Sequence, residues 1–248
     1  MHPVNKLLSF VGLKLDRTKA IITTPVEFRK QYRLHLNELR KDNRGFKIFK
    51  EFRYDAGDHP VSYIDFECMF AAQHIAKKNP TSILDIGSYR HFILGLLAHY
   101  RVTTIDVRGR ERTSANETVL TCDGKKLDIP KDSFDVAVSL CSLEHFGLGR
   151  YGDGFDLDAD KKAFNEMIRV LRPGGFLIFT TAITRSNPCI VFNTQRIYNH
   201  QMIKSLCNEL IPEEEKFFSN RMGKFCSLQQ VIDLPKAWDL YCGCWLKR

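Results

Sequence analysis

The segment ILDIGS, residues 83–88, carries the clearest structural signal in the sequence. It contains a short apolar run with an acidic residue near its end, Asp85, and Gly87 two positions later. Glycine permits a sharp turn and a close approach of the backbone to a ligand. The next residues, 89–100, place their apolar side chains on one face of a helix. A strand, a glycine turn and a helix in this order predict the first unit of a parallel α/β sheet.

The same alternation continues downstream of this unit. Further strands are predicted for RVTTIDV (101–107), TVLTC (118–122), SFDVAVSLC (133–141), FLIFTTAI (176–183), KFFSN (216–220) and WDLYCGCWLKR (238–248). Helices are predicted over 161–171 and 194–209. This order favours an α/β fold with a mostly parallel sheet and helices on both faces. Ligands of such sheets bind beyond the carboxyl ends of the strands.

Upstream of this unit the chain is basic and helical in pattern. The 248 residues carry a formal net charge of +8, and residues 1–54 hold 13 Lys and Arg against 5 Asp and Glu. Helices are predicted over 3–13, 25–41 and 62–78, with a turn-rich break at YDAGDHP (54–60). We therefore expect a basic helical extension, 1–60, that covers the site as a lid, and a second domain, 61–248. The extension faces an anionic partner or forms a solvated helix surface.

Cysteine usage and hydropathy suggest the environment of the protein. Eight cysteines are scattered without a C-x-x-C pair, which indicates neither a zinc site nor a disulfide framework. No apolar run approaches the roughly 20 residues of a membrane span, and the first residues lack the features of a signal peptide. We expect a reduced, soluble, cytoplasmic protein whose basic extension permits peripheral membrane contact.

Acidic residues end successive predicted strands and indicate a ligand. Asp106 follows Asp85 by 21 residues, and a second-strand carboxylate at about this spacing reaches ribose hydroxyls. Asp123-Gly124 ends the next strand, where an adenine edge would lie. Three such strand ends in series predict a ligand that contains adenosine.

A dinucleotide is the less suitable adenosine ligand. The pyrophosphate of a dinucleotide requires G-x-G-x-x-G, whereas Gly87 is followed by Ser88-Tyr89-Arg90-His91. Asp85 would repel a pyrophosphate, but it suits the cationic amino group and the sulfonium neighbourhood of S-adenosylmethionine.

With these residues the chain resembles the class I S-adenosylmethionine-dependent methyltransferases. The matching motifs are ILDIGS, the strand-end Asp106, CDGKKLDIPKDSFDVAVSLCSLEH (122–145) and AFNEMIRVLRPGGFLIFTTA (163–182). The resemblance covers about residues 80–248 and implies a Rossmann-like sheet of seven strands that ends in a β-hairpin. It implies S-adenosylmethionine as donor and S-adenosylhomocysteine as product. It also implies donor-binding residues at the strand ends: Asp85, Ile86, Gly87, Ser88, Asp106, Val107, Asp123, Gly124 and Cys141.

A narrower resemblance concerns EHFGLGRYGD, residues 144–153. This segment is similar to a motif in a bacterial family of unknown function within the superfamily, whose members accompany enzymes that modify sugars and surface polysaccharides. CIVFNTQRIY (189–198) and VNKLLSFVGLKLDR (4–17) fit the same family. The chain departs from the superfamily in the donor loop, where the usual glycine-rich sequence is reduced to Gly87.

The loop after the fourth predicted strand supplies the catalytic candidates. A hydroxyl acceptor benefits from a general base, and His145 is the first candidate because histidine titrates near neutrality. Asp153 is the second. Leu-Glu-His is widespread in the superfamily at this point, so a structural or cofactor-side role for His145 is the alternative. Four residues are candidates for binding the acceptor: Arg150, Tyr151, Asn193 and Arg196.

Asp156, Asp158 and Asp160 form a D-x-D-x-D pattern that is also found in cation-binding loops. Lys161 and Met167 stand where a calcium loop needs glycine and glutamate. We therefore expect the acids to cap a helix and predict no metal site.

Three functions are compatible with these observations. The first is O-methylation of a sugar, a sugar nucleotide or a glycan precursor, where the acceptor class rests on the family resemblance. The second is methylation of RNA through the basic extension, although no N-P-P-Y-type tetrad or RNA-binding module is present. The third is a non-catalytic protein that retains the methyltransferase fold.

Overall fold

The computed structural model describes residues 26–50, 61–151 and 153–248. The chain divides after Pro60 into two compact units. In the first unit, helix α1 spans Val26–Lys41 and carries an acid in its first turn and two basic residues in its last, as the helix dipole favours. The helix predicted over 3–13 lies outside the described residues.

The second unit, Val61–Arg248, alternates strands and helices. Its helices are α2 (Tyr63–Lys78), α3 (Arg90–Leu96), α4 (Ala159–Val170) and α5 (His200–Leu206). Its strands are β1 (Ile83–Ile86), β2 (Val102–Asp106), β3 (Glu117–Thr121), β4 (Phe134–Leu140), β5 (Leu171–Ile183), β6 (Cys189–Val191), β7 (Gln195–Ile197), β8 (Leu210–Ser219), β9 (Lys224–Cys226) and β10 (Asp239–Lys247). Short 3₁₀ turns cover Leu143–His145 and Leu228–Gln230.

The main sheet has the strand order β3-β2-β1-β4-β5-β10-β8-β9. The first five strands are parallel, and β10 inserts antiparallel between β5 and β8. This is the Rossmann-like arrangement of the class I methyltransferases, so the predicted fold class is confirmed. The sheet has eight strands and not the expected seven, because a turn at Gly223 folds β9 back onto β8, where Phe225 pairs with Phe218.

Two apolar clusters cover the two faces of the sheet. Neighbouring residues of β1 belong to different clusters because strand side chains alternate between faces. Ile83 packs in the cluster of Phe70 from α2, and Leu84 packs in the cluster of Phe164 from α4. All residues of β4 are buried, as expected for a central parallel strand that is covered on both sides.

The structure corrects the helix predicted over 194–209. Gln195–Ile197 instead forms β7, which pairs with β6 in a separate two-stranded hairpin. The helix begins only at His200, where the Asn199 side chain accepts the amide of Met202 as an N-cap. The turn before β7 is closed by the Thr194 amide, which donates to the Val191 carbonyl.

This topology brings the carboxyl ends of β1 to β5 to one edge of the sheet. Loops from different parts of the chain therefore meet there and form the site described below. Within the described ranges, no helix is long and apolar enough to cross a bilayer.

Candidate active site

A cleft of about 220 Å³ opens at the carboxyl edge of the parallel strands. It runs from the ends of β1, β2 and β3 to the loop that follows β4. Ten of the predicted site residues line it: Ile86, Gly87, Asp106, Val107, Asp123, Gly124, Cys141, His145, Tyr151 and Asp153. Five others do not: Asp85, Ser88, Arg150, Asn193 and Arg196.

The turn after β1 is tightly joined to the end of β4. Gly87 adopts a φ of 73°, which disfavours residues with a side chain. A Cβ at this position would also overlap Ser142 Oγ. Ser88 Oγ accepts the Leu140 amide at 3.1 Å, and Ser139 Oγ donates to the Ile86 carbonyl at 2.8 Å. One glycine therefore sets the turn at which the two strand ends meet.

Asp85 does not face the cleft, in contrast to the sequence-based expectation. Its side chain is only 1% exposed, and Oδ1 accepts the amide of Ser88 at 3.2 Å. Burial raises the pKa of Asp85 to about 6, although Ser88 and the charges of Arg110 and Arg90 oppose the shift. Because the side chains of a strand alternate between faces, that of Asp85 points into the protein. From there its carboxylate stabilises the Gly87 turn through the Ser88 amide.

Asp106 reaches the cleft at the end of β2 and is paired with Arg108. Arg108 Nε donates to Oδ1 and Nη2 donates to Oδ2, both at 3.0 Å, while the Arg108 amide donates to Oδ1 at 2.9 Å. Partial burial would raise the pKa of Asp106, but these contacts and the charge of Arg110 lower it below its ordinary value. Arg108 was not predicted from the sequence, although its position two residues after a strand-end acid is the signal that could have identified it.

The third strand end provides a half-exposed acid and a close apolar wall. Asp123 accepts the Lys125 amide at 3.0 Å and lies 3.3 Å from Lys125 Nζ. A Cβ on Gly124 would come within 3.1 Å of the Phe146 ring. Other apolar cleft residues are Ile105, Val107 and Cys122. This end of the cleft is a slot suited to a flat, apolar ring with polar groups at its rim.

His145 lies at the opposite end of the cleft with a defined tautomer. Its Nδ1 is 2.7 Å from the Thr194 carbonyl, which only accepts, so Nδ1 carries the proton and Nε2 keeps the lone pair. Burial lowers the pKa of His145, and the charge of Arg150 adds to this, while the carbonyls of Thr194 and Cys141 oppose it. A buried imidazole with a lowered pKa is neutral at pH 7 and able to accept a proton.

Asp153 holds the loop together. One carboxylate oxygen accepts the Gly147 amide at 2.8 Å and the other accepts the Tyr151 amide at 3.1 Å. Arg150 Nη1 lies 3.3 Å from the Thr194 carbonyl and 3.2 Å from His145 Nδ1. Because Nδ1 carries a proton, the carbonyl is the real acceptor of the Arg150 donor.

Arg196 is buried behind the loop and, contrary to the prediction, does not line the cleft. Its guanidinium donates to the carbonyls of Phe146 at 2.6 Å and Leu157 at 2.9 Å, and it is 6% exposed. Asn193 is exposed at the tip of the β6–β7 hairpin, directly before the Thr194 carbonyl that orients His145. Arg196 therefore fixes the loop from behind, and Asn193 borders the acceptor end.

A buried acidic cluster beside Cys141 was not found from the sequence. Glu67 of α2 accepts the Thr180 hydroxyl at 2.7 Å, and Thr180 Oγ1 in turn accepts the Cys141 amide at 3.0 Å. Burial raises the pKa of Glu67, raises that of Glu144 to about 8 and raises that of the Cys141 thiol well above its usual range. The cluster joins residues far apart in the sequence, so no local motif reveals Glu67, whereas Glu144 stands in the Leu-Glu-His motif itself.

The three aspartates of the D-x-D-x-D pattern point to different partners. Asp156 accepts Lys162 Nζ and Asp158 accepts Lys161 Nζ, both at 2.8 Å, and Asp160 accepts the Tyr198 hydroxyl at 2.7 Å. Asp158 stands directly before α4 but makes no side-chain cap. In the part of the chain that the structure describes, no group of His, Cys, Asp or Glu is arranged to hold a metal ion.

Comparisons with known proteins agree with this architecture. Residues 84–179 match the model of a family described as "Methyltransferase domain". A Burkholderia thailandensis 1,6-didemethyltoxoflavin-N1-methyltransferase, crystallised with S-adenosylhomocysteine, is 16% identical with a TM-score of 0.55 over 91% of both chains. N-methyltransferase NodS from Bradyrhizobium japonicum is 18% identical with a TM-score of 0.54, over 77% of this chain and 98% of its own. No curated protein gives a significant match.

The likeness to solved structures concerns the fold. The [4+2]-cyclase SpnF is 15% identical with a TM-score of 0.56, over 86% of this chain and 92% of its own. Its name describes a cyclase, so the fold by itself does not define the reaction. The family match runs from β1 into β5 and includes the strand ends that form the cleft. Residues 84–179 therefore match a methyltransferase domain, and the chain has the class I methyltransferase fold.

Proposed function

We propose that this chain is an S-adenosylmethionine-dependent methyltransferase that transfers a methyl group to a hydroxyl of a small acceptor, namely a sugar, a sugar nucleotide or a glycan precursor. The observation that carries the proposal is the neutral His145 at one end of the cleft, opposite the strand ends that suit the donor. Its Nδ1 is engaged by the Thr194 carbonyl, which leaves Nε2 as the proton acceptor of the ring.

The cleft fits S-adenosylmethionine. Asp106 at the end of β2 suits the ribose hydroxyls, and the slot between Val107 and Phe146 suits the adenine. The Gly87 turn leaves room for the backbone to approach the methionine part of the donor. When bound, the donor supplies an electrophilic methyl group on a sulfonium. The buried Asp85 supports this turn and makes no direct contact in the proposal.

The protein contributes position and a proton acceptor. Methyl transfer is an in-line displacement, so most of the rate enhancement comes from orientation. His145 Nε2 takes the hydroxyl proton as the acceptor oxygen forms its bond to the methyl carbon. The hydrogen bond from Nδ1 to the Thr194 carbonyl holds the ring and stabilises the resulting imidazolium. Arg150 and Tyr151 offer donors and an exposed aromatic face to the acceptor.

The choice of a sugar-like acceptor rests on the resemblance of EHFGLGRYGD, residues 144–153, to the bacterial family found beside sugar-modifying enzymes. N-methylation of a small molecule is a second candidate, since two of the similar structures are named as N-methyltransferases. Many nitrogen acceptors need no general base. The role of His145 therefore distinguishes the two candidates.

The test is a methyl-transfer screen over sugar nucleotides and glycan fragments with wild type and His145→Asn. We expect the variant to bind S-adenosylhomocysteine like wild type, while kcat falls by roughly 10²–10⁴, the usual contribution of a general base. His99→Asn, at an exposed position, is the matched control. Full turnover by His145→Asn would show that His145 is not the general base and would favour an amine acceptor.

The basic extension keeps two further proposals open. Residues 26–50 hold 8 Lys and Arg against 3 Asp and Glu, which suits an anionic partner or membrane surface. An RNA methyltransferase would bind RNA tightly and with a steep salt dependence. Absence of RNA binding at low salt would leave the small-molecule acceptor as the proposal.

A further inference from the structure

Arg108 occupies the carboxylate that the proposed donor site requires. Its guanidinium and its own amide donate three hydrogen bonds to Asp106, two of them to Oδ1. A carboxylate offers about four lone-pair sites, so only about one remains. Two ribose hydroxyls need both oxygens, and Asp106 therefore cannot hold them while this guanidinium stays in place.

The ion pair between Arg108 and Asp106 can open at little cost. The Arg108 side chain is 67% exposed, whereas that of Asp106 is 19% exposed. Solvent-exposed ion pairs contribute little to stability because water competes with both partners. Exchange of the guanidinium for neutral hydroxyls therefore requires motion of one exposed side chain and no change in the strand.

A second guanidinium contacts the same aromatic ring as the first. The Arg108 guanidinium carbon is 5.4 Å from the centre of the Tyr151 ring, and that of Arg150 is 5.3 Å from the same centre. Both distances suit a cation–π contact. Within residues 26–50, 61–151 and 153–248, Arg150 forms no ion pair, and its donors go to the Thr194 carbonyl. Once Arg108 leaves Asp106, two guanidinium groups without a carboxylate partner flank one aromatic ring at the mouth of the cleft.

We propose that Arg108 couples the donor to a phosphorylated acceptor. It holds Asp106 in the free enzyme, releases it when Asp106 takes the ribose hydroxyls, and then joins Arg150 in binding a phosphate group. Guanidinium groups match phosphate oxygens through paired, planar donors, and two of them balance a doubly charged anion. The inference rests on the proposed donor site and adds that the acceptor carries phosphate and binds after the donor.

The first experiment is calorimetry of S-adenosylhomocysteine binding to the full chain. Arg108→Ala removes the competitor of the ribose, so this variant binds roughly two- to fivefold tighter than wild type, the value of an exposed ion pair. Arg112→Ala, an exposed arginine on the same loop, binds like wild type. Arg108→Lys keeps the charge without the paired donors, and its affinity for S-adenosylhomocysteine lies between those of wild type and Arg108→Ala. Equal melting temperatures of the three variants establish that they are folded.

The second experiment measures binding of inorganic pyrophosphate with and without saturating S-adenosylhomocysteine. Wild type binds pyrophosphate measurably only in the presence of the nucleoside, and Arg150→Ala and Arg108→Ala each weaken that binding at least fivefold. Pyrophosphate binding that is independent of the nucleoside, or unaffected by both substitutions, overturns the coupling. So does equal or weaker nucleoside binding by Arg108→Ala. Failure of wild type to bind the nucleoside at all would overturn the donor site and the proposed function with it.

Discussion

Gly87 is the residue on which the cleft depends most. Its φ of 73° and the overlap that a Cβ would have with Ser142 are two separate reasons for a glycine. Gly149 has nearly the same φ, 72°, but a Cβ there would come no closer than 3.7 Å to the Asp153 carbonyl. Comparing an alanine substitution at Gly87 with one at Gly149 therefore separates the cost of backbone strain from the cost of steric overlap.

Gly149→Ala is expected to lower the free energy of unfolding by about 1–2 kcal/mol, the cost of a left-handed backbone with a side chain. Gly87→Ala is expected to cost a further 1–3 kcal/mol or so, because the Cβ has to displace Ser142. It should also abolish S-adenosylhomocysteine binding. Denaturant unfolding measures the first effect and calorimetry the second. Equal effects of the two substitutions would show that the contact with Ser142 is unimportant.

Glu144 makes the stability of the protein depend on pH. Burial raises its pKa to about 8, and the charge of Glu67 adds to this shift. The folded protein therefore binds more protons than the unfolded chain above the ordinary pKa of about 4.3. Stability is lost as the pH rises from there through about 8.

Glu144→Gln removes this ionisation. The stability of the variant relative to wild type is thus expected to increase between pH 5 and pH 8, both measured by urea unfolding. Glu111→Gln, at an exposed position, is the control. A constant difference between Glu144→Gln and wild type over this range would contradict the raised pKa.

The strand-end residues that sequence could predict are those whose position follows from the topology. Asp106, Asp123 and His145 all line the cleft, as a parallel sheet requires. Asp85 does not, because an acid inside a short strand points to either face, and the motif does not specify which. Arg196 was also misplaced, since the β7 strand that buries it was predicted as helix.

The elements behind the cleft support the loop that follows β4. The β6–β7 hairpin supplies Thr194, which orients His145, and Arg196, which ties the loop at both of its ends. This hairpin is too short to be recognised from periodicity, and its neighbour Asn199 delays the start of α5. The loop could therefore be predicted from the sequence, whereas the β6–β7 hairpin that supports it could not.

Arg196→Met is expected to lower the free energy of unfolding by about 2–4 kcal/mol, because it leaves buried carbonyls without donors. Amide exchange in residues 144–151 should become faster, and kcat should fall more than donor affinity. Arg101→Met, at an exposed position, is the comparison. Unchanged exchange in this loop would show that Arg196 does not brace it.

For the molecule as a whole, the sheet and its parallel centre could be predicted from the sequence. The alternation of strands and helices is a long-range pattern that survives local errors, whereas β9 is a three-residue edge strand with little signal. The described residues of the basic extension form a unit of their own, and its role stays a prediction. The proposed acceptor site combines Arg108, the loop at 145–153 and the β6–β7 hairpin, which no single motif specifies.

The most direct test of the donor site is calorimetric titration of the full chain with S-adenosylhomocysteine, with wild type and Asp106→Ala measured under the same conditions. We predict one nucleoside bound per chain of wild type. We predict an affinity at least about tenfold lower in the variant, since two hydrogen bonds to a charged group are lost. Absence of binding to wild type, or equal binding by both proteins, would contradict the account.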